Sequence, residues 1–134
     1  VGVKLANPDK TVVALCGDGT YIFTVPTAVY WVAAQYKTPF LTVIFNNQGW
    51  GAAKAAVLRE HPQGYAACHD RFWTCINPPA SLELVAQAAG GAFAKKVTSP
   101  GELKTALLEG LAALEEGRCA VINVILPPVS QQTI

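Results

Sequence analysis

Two short apolar runs, Thr11-Val12-Val13-Ala14-Leu15-Cys16 and Phe40-Leu41-Thr42-Val43-Ile44-Phe45, leave this chain few folds to choose from. Neither alternates with polar residues, which is the pattern of a strand buried on both faces. Between them Val29, Val32, Ala33 and Tyr36 fall at i, i+3, i+4 and i+7, one stripe of a helix. Thr24 stands where it can cap that helix, Pro26 is tolerated in the first turn, and Thr38-Pro39 stops it. Buried strand, helix, buried strand is the signature of a parallel sheet with crossover helices.

The alternation continues to the end of the chain. Residues 52–60 can form a helix after the turn at 46–51, and residues 61–80 show no clear period and read as a long loop. Ser81 is a candidate cap for a helix over 82–89, closed by Gly90-Gly91, and residues 92–97 form a short strand. Ser99 and Glu102 have capping-box spacing, and Leu103, Leu107, Leu111 and Leu114 make the apolar face of the helix that follows. Gly117 ends it, and residues 119–126 are the last strand, stopped by Pro127-Pro128. The expected fold is α/β: one domain over residues 1–134, a doubly wound parallel sheet with helices on both faces. Residues 1–6 read as the last turns of a helix, residues 7–10 as a turn, and there is no Met at position 1 or elsewhere. The expectation is therefore a fragment of a longer multidomain chain, with a processed chain as the alternative.

Composition excludes several classes of function. Hydrophobic residues are 51% and charged residues 14%, too apolar for a disordered segment. The net charge of +1, with Lys and Arg scattered, argues against a nucleic-acid surface. No run is long enough to span a bilayer as a helix. Cys16 and Cys119 lie in or beside apolar runs and read as small buried residues. Cys68 and Cys75 flank His69, with His61 nearby; zinc ligation and a disulfide are alternatives to ordinary thiols, but the spacing fits no tight zinc motif. Reduced thiols suit an intracellular, cytoplasmic setting.

Chemistry concentrates where the first two strands end. In such sheets ligands bind beyond the carboxyl ends of the strands. The first run leads into Gly17-Asp18-Gly19-Thr20, the second into Asn46-Asn47-Gln48-Gly49. Gly17 and Gly19 let the backbone turn and approach a ligand closely. The N–H groups of Gly19 and Thr20 are candidate phosphate donors. Asp18 offers one hard anionic oxygen, Asn47 a side-chain carbonyl and Gly49 a backbone carbonyl, which leaves about three of the six positions around an octahedral Mg²⁺ for phosphate and water. Each loop alone is an ordinary turn sequence. The pair is more telling, because each closes a separate buried strand.

Gly-Asp-Gly, 26 residues, then Asn-Asn resembles the diphosphate-binding motif of thiamine diphosphate-dependent enzymes. The likeness extends over residues 4–23, 33–51, 89–91 and 117–126, which resemble the C-terminal diphosphate-binding domain of the group that includes acetolactate synthase and benzoylformate decarboxylase. The resemblance implies that Asp18, Asn47 and Gly49 ligate Mg²⁺ and that Gly17, Gly19 and Thr20 cradle the diphosphate of thiamine diphosphate. It implies that Asn46 braces its loop, and that Gln48 and Trp50 face the substrate space, with Trp50 as plain core or lid the alternative. It implies a lyase or transferase acting on 2-oxo acids, a homo-oligomer, and a partner pyrimidine-binding domain that carries an essential glutamate. No residue here takes that glutamate's role: Glu60, Glu83, Glu102, Glu109, Glu115 and Glu116 all sit in helical contexts and read as solvated faces. The chain alone is then half an active site and inactive. A noncatalytic α/β module binding another phosphate ligand or a partner chain is the alternative.

Overall fold

The structure, a computed structural model, describes residues 1–129 of the 134. Four strands, β1 (Val13–Gly17), β2 (Leu41–Asn46), β3 (Phe93–Val97) and β4 (Ala120–Ile125), form one parallel sheet in the order β1-β2-β4-β3. Seven helices accompany them: α1 (Gly2–Ala6), α2 (Asp18–Phe23), α3 (Pro26–Gln35), α4 (Gly51–Glu60), α5 (Tyr65–His69), α6 (Leu82–Gly90) and α7 (Pro100–Glu115). None among the described residues is long and apolar enough to cross a membrane.

Strand alternation divides the core in two. Ile44 and Val121 point to one face and pack with Tyr21, Tyr30, Ala33, Leu82 and Ala86 from α2, α3 and α6. Leu41, Val43, Ala120 and Ile122 point to the other and pack on Ala106 and Ala113 of α7. The doubly wound reading therefore holds.

Small residues set the spacing of α7. A Cβ on Gly110 would meet Leu41 Cδ1 at 3.1 Å. The helix thus sits on Ala106, Gly110 and Ala113, while the expected leucine face only flanks them and Leu111 is exposed. Glu102 completes the start of α7 by accepting the N–H groups of Thr98 (3.0 Å) and Ser99 (3.2 Å), which hold its carboxyl below the ordinary range.

Other expectations are corrected. β1 is not buried on both faces: it is the edge strand, α7 lies across β2, β3 and β4, and Val13 and Leu15 are 49% and 66% exposed. Thr24 does not cap α3. It closes α2, its hydroxyl donating to the Tyr21 carbonyl (2.7 Å), and α3 starts from Val25, whose φ of 52° is strained for a β-branched residue. Tyr36 lies beyond the end of α3 and is exposed; Tyr30 is the buried tyrosine, stacked on Phe40 and donating to Thr42 Oγ1 (2.8 Å). Burial lifts the Tyr30 phenol far above its ordinary pKa and pushes that of Tyr21 up to about 12. Residues 61–80 contain α5, then return beside the Asn-Asn turn through an antiparallel bridge between Gly49 and Cys75. Glu83 is not solvated but buried.

The covered centre and the open edge of the α7 face predict unequal mutational outcomes. Ile122→Ala should lower the free energy of unfolding in urea by about 2–5 kcal/mol, and Leu15→Ala by less than about 1 kcal/mol. Equal losses would mean that the outer face of β1 is closed in solution.

Candidate functional site

β1 runs into α2 without an intervening turn, Gly17 being extended and Asp18 the first helical residue. Asp18 is 2% exposed. One carboxylate oxygen accepts the N–H of Gly19 (2.8 Å) and the other accepts the N–H of Gly49 (2.9 Å), across 31 residues of sequence. The acid therefore fastens the first loop to the second. Neighbouring parallel strands in register, with Gly17 opposite Phe45, make this possible. No Lys, Arg or His among the described residues pairs with Asp18. Buried charges are normally paired or bound to metal, so this carboxylate stands out.

The second loop is held from below and from the side. Asn46 donates through Nδ2 to Asn123 Oδ1 (3.1 Å) and accepts the N–H of Gln48 through Oδ1 (3.0 Å). Asn123 in turn donates to Glu83 Oε2 (2.6 Å), and Lys96 approaches the other Glu83 oxygen at 3.7 Å. The carbonyls of Asn46 and Asn47 accept N–H groups of Leu126 and Val129 (both 2.8 Å). The returning segment adds Trp50 N–H to the Thr74 carbonyl and Ile76 N–H to the Gln48 carbonyl, both 2.8 Å. Gly49 has no room for a side chain, since a Cβ would lie 2.5 Å from the Thr74 carbonyl oxygen. Asn46 thus braces the turn. Glu83 and Asn123 were missed by sequence reasoning, although an Asn inside CAVINVIL and a Glu inside LELVA are polar residues in apolar runs, which need buried partners.

Gly17, Asp18, Gly19, Thr20, Asn47 and Gly49 all line one open pocket of about 340 Å³, together with Phe45, Trp50 and the first residues of α4. Among the described residues no Lys or Arg lines it, and Gln48, with φ 58°, is not part of its lining. Trp50 lies with its indole against Gly19, where a Cβ would be 2.3 Å from Nε1, and its ring is 6.1 Å from that of Phe23. The zinc alternative gains nothing: no group of three His, Cys, Asp or Glu side chains converges among the described residues, His69 stacks on Tyr65, and all four cysteines are free. Burial, and next the charge of Asp18, raise the Cys16 thiol above its usual pKa, so it stays neutral.

Comparison with known proteins places the fold in a family. The chain is 31% identical over 133 residues to an acetolactate synthase large subunit of Mycobacterium tuberculosis, covering 96% of this chain and 21% of that protein. It is 33% identical over 128 residues to a 2-hydroxyacyl-CoA lyase of Oryza sativa, again 96% of this chain and 21% of the relative. The chain thus spans about a fifth of the length of these relatives. Its fold matches a thiamine diphosphate-dependent 4-hydroxybenzoylformate decarboxylase of Rhodococcus jostii with a TM-score of 0.75 at 26% identity, covering 96% of this chain and 22% of that one. A benzoylformate decarboxylase of Polynucleobacter necessarius gives a TM-score of 0.72 at 26% identity, over 98% and 22%. Residues 1–124 match the family described as thiamine pyrophosphate enzyme, C-terminal TPP binding domain, and the chain belongs to that family.

Proposed function

We propose that this domain binds Mg²⁺ and the diphosphate of thiamine diphosphate, and forms half of the active site of an enzyme that decarboxylates or ligates 2-oxo acids. The observation that carries the reading is Asp18: buried, without a cationic partner, and bonded to both loops of one pocket. The donor set fits the ion. One carboxylate, the Asn47 amide and the Gly49 carbonyl are hard oxygen donors of the kind Mg²⁺ takes, and softer ligands are absent from the pocket lining. The pocket also fits an anion that brings its own cation, because it holds no Lys or Arg.

In this reading Asp18, Asn47 and Gly49 hold the metal. Gly17, Gly19 and Thr20 shape the floor against the diphosphate, and the Glu83–Asn123–Asn46 chain keeps the second loop in place. When bound, the cofactor supplies an electron sink for cleaving or forming a bond beside a carbonyl. The names of the relatives, a synthase, a lyase and decarboxylases, support that reaction class. The activating glutamate belongs to a pyrimidine-binding domain, elsewhere in a parent chain or on another subunit, and the assembly is a homo-oligomer. The exposed apolar face of Val13, Leu15 and Phe45 supports burial against such a neighbour. Four free thiols support a cytoplasmic setting.

Titration calorimetry tests the site. Thiamine diphosphate should release binding heat with Mg²⁺ and none with a chelator, and the chain alone should turn over neither pyruvate nor benzoylformate. Asp18→Asn should weaken Mg²⁺-dependent binding at least about 100-fold while the cooperative melt persists. Equal affinity in the chelator, or in the Asn variant, would remove the metal role and favour a plain phosphate-binding module.

A further inference from the structure

The Trp50 indole carries a polar group with nothing to do. Its Nε1 is buried and has no hydrogen-bond partner among the described residues. Leaving such a donor unmet destabilises a fold. The ring cannot be explained as a filler of neutral surroundings, because it lines the pocket beside Asp18, Thr20, Asn47 and Gly49. It rests on Gly19 so closely that any side chain there would collide with Nε1 itself.

The backbone of Trp50 is pinned. Its N–H donates to the Thr74 carbonyl (2.8 Å) and its carbonyl accepts the N–H of Lys54 (3.2 Å) in the first turn of α4. Only the side-chain torsions remain to move the ring. On the outer side it meets Phe23, which is itself exposed, so the indole has a yielding neighbour in that direction. A pocket with no Lys or Arg must hold an anion by metal and by neutral N–H donors. The Gly19 N–H is already engaged by Asp18, which leaves the indole N–H as a donor without an acceptor at this wall.

We propose that Trp50 is a ligand-responsive wall of the site: its ring covers Gly19 in the free chain and turns when the ligand enters, so that Nε1–H donates to a diphosphate oxygen. This rests on the thiamine diphosphate reading above. Trp50 is then a binding residue in its own right, and the bulk at this position must be an indole or another flat donor-bearing ring.

The test uses the ¹⁵N-labelled chain titrated with Mg²⁺ and thiamine diphosphate, followed in parallel by calorimetry. Trp50→Phe assigns the indole resonance. The Trp31 and Trp73 indoles, both exposed, serve as internal references. On saturation the Trp50 indole proton should move downfield and the Gly19 Hα resonances, shielded by the ring in the free chain, should lose that shielding. Trp50→Phe should weaken binding about tenfold or more, and Trp31→Phe should leave it unchanged. Binding heat with an unmoved Trp50 indole, or unchanged affinity in Trp50→Phe, overturns this inference and leaves the cofactor reading standing. Absence of binding heat in the unsubstituted chain overturns the cofactor reading, and this one with it.

Discussion

One carboxylate organises the ligand end of this domain. Asp18 accepts an N–H from its own loop and another from Gly49, and thereby joins the ends of two adjacent strands whose sequences lie 31 residues apart. Everything else at the site is arranged around that link. Gly49 is pressed between Asp18 and the returning segment at Thr74, and Asn46 is anchored through Asn123 to Glu83 in α6. The charge on Asp18 has no side-chain counterion among the described residues, so its burial is the least self-sufficient feature of the fold. A divalent cation at that point would turn an unfavourable burial into a reason for the pocket.

The side of β1 that faces α7 carries a different incompleteness. Parallel sheets are normally covered on both faces, yet α7 leaves the outer part of this one open. Val13, Leu15, Val43, Phe45, Leu107 and Leu111 line a wholly apolar groove of about 390 Å³. β1 also has an unpaired edge, since β2 is its neighbour on one side only. The open face and the span of about a fifth of its relatives are the two observations behind the proposed packing against a neighbouring domain.

How much of this was legible in the residues depends on the range of the interaction involved. β2 and β4 were readable because a continuous apolar run is a local signal, and the same holds for the Ser99–Glu102 helix start. That the six candidate residues line one pocket was foreseeable, because the two loops that carry them each close a strand of a parallel sheet. The exposure of Leu15 was not readable, because it depends on strand order, which places β1 at the edge. The return of residues 74–76 along the Asn-Asn turn and the Glu83–Asn123 hydrogen bond join segments 26 to 40 residues apart, and no periodicity reports them. Tyr36 stayed outside the core, lying one residue past the end of α3 at Gln35, while Tyr30 entered it on the face it shares with Ala33. The Gly17-Asp18-Gly19 stretch reads as a turn that carries a metal ligand, whereas the strand passes directly into α2 at Asp18.

The most direct measurement replaces Mg²⁺ with Mn²⁺ in the presence of thiamine diphosphate and maps paramagnetic broadening along the backbone amide spectrum. If one ion bridges the two loops, broadening centres on residues 17–20 and 46–51 and fades away from them. Broadening centred instead on exposed acids such as Glu115 and Glu116, with the Asp18 and Gly49 amides left sharp, would contradict the account.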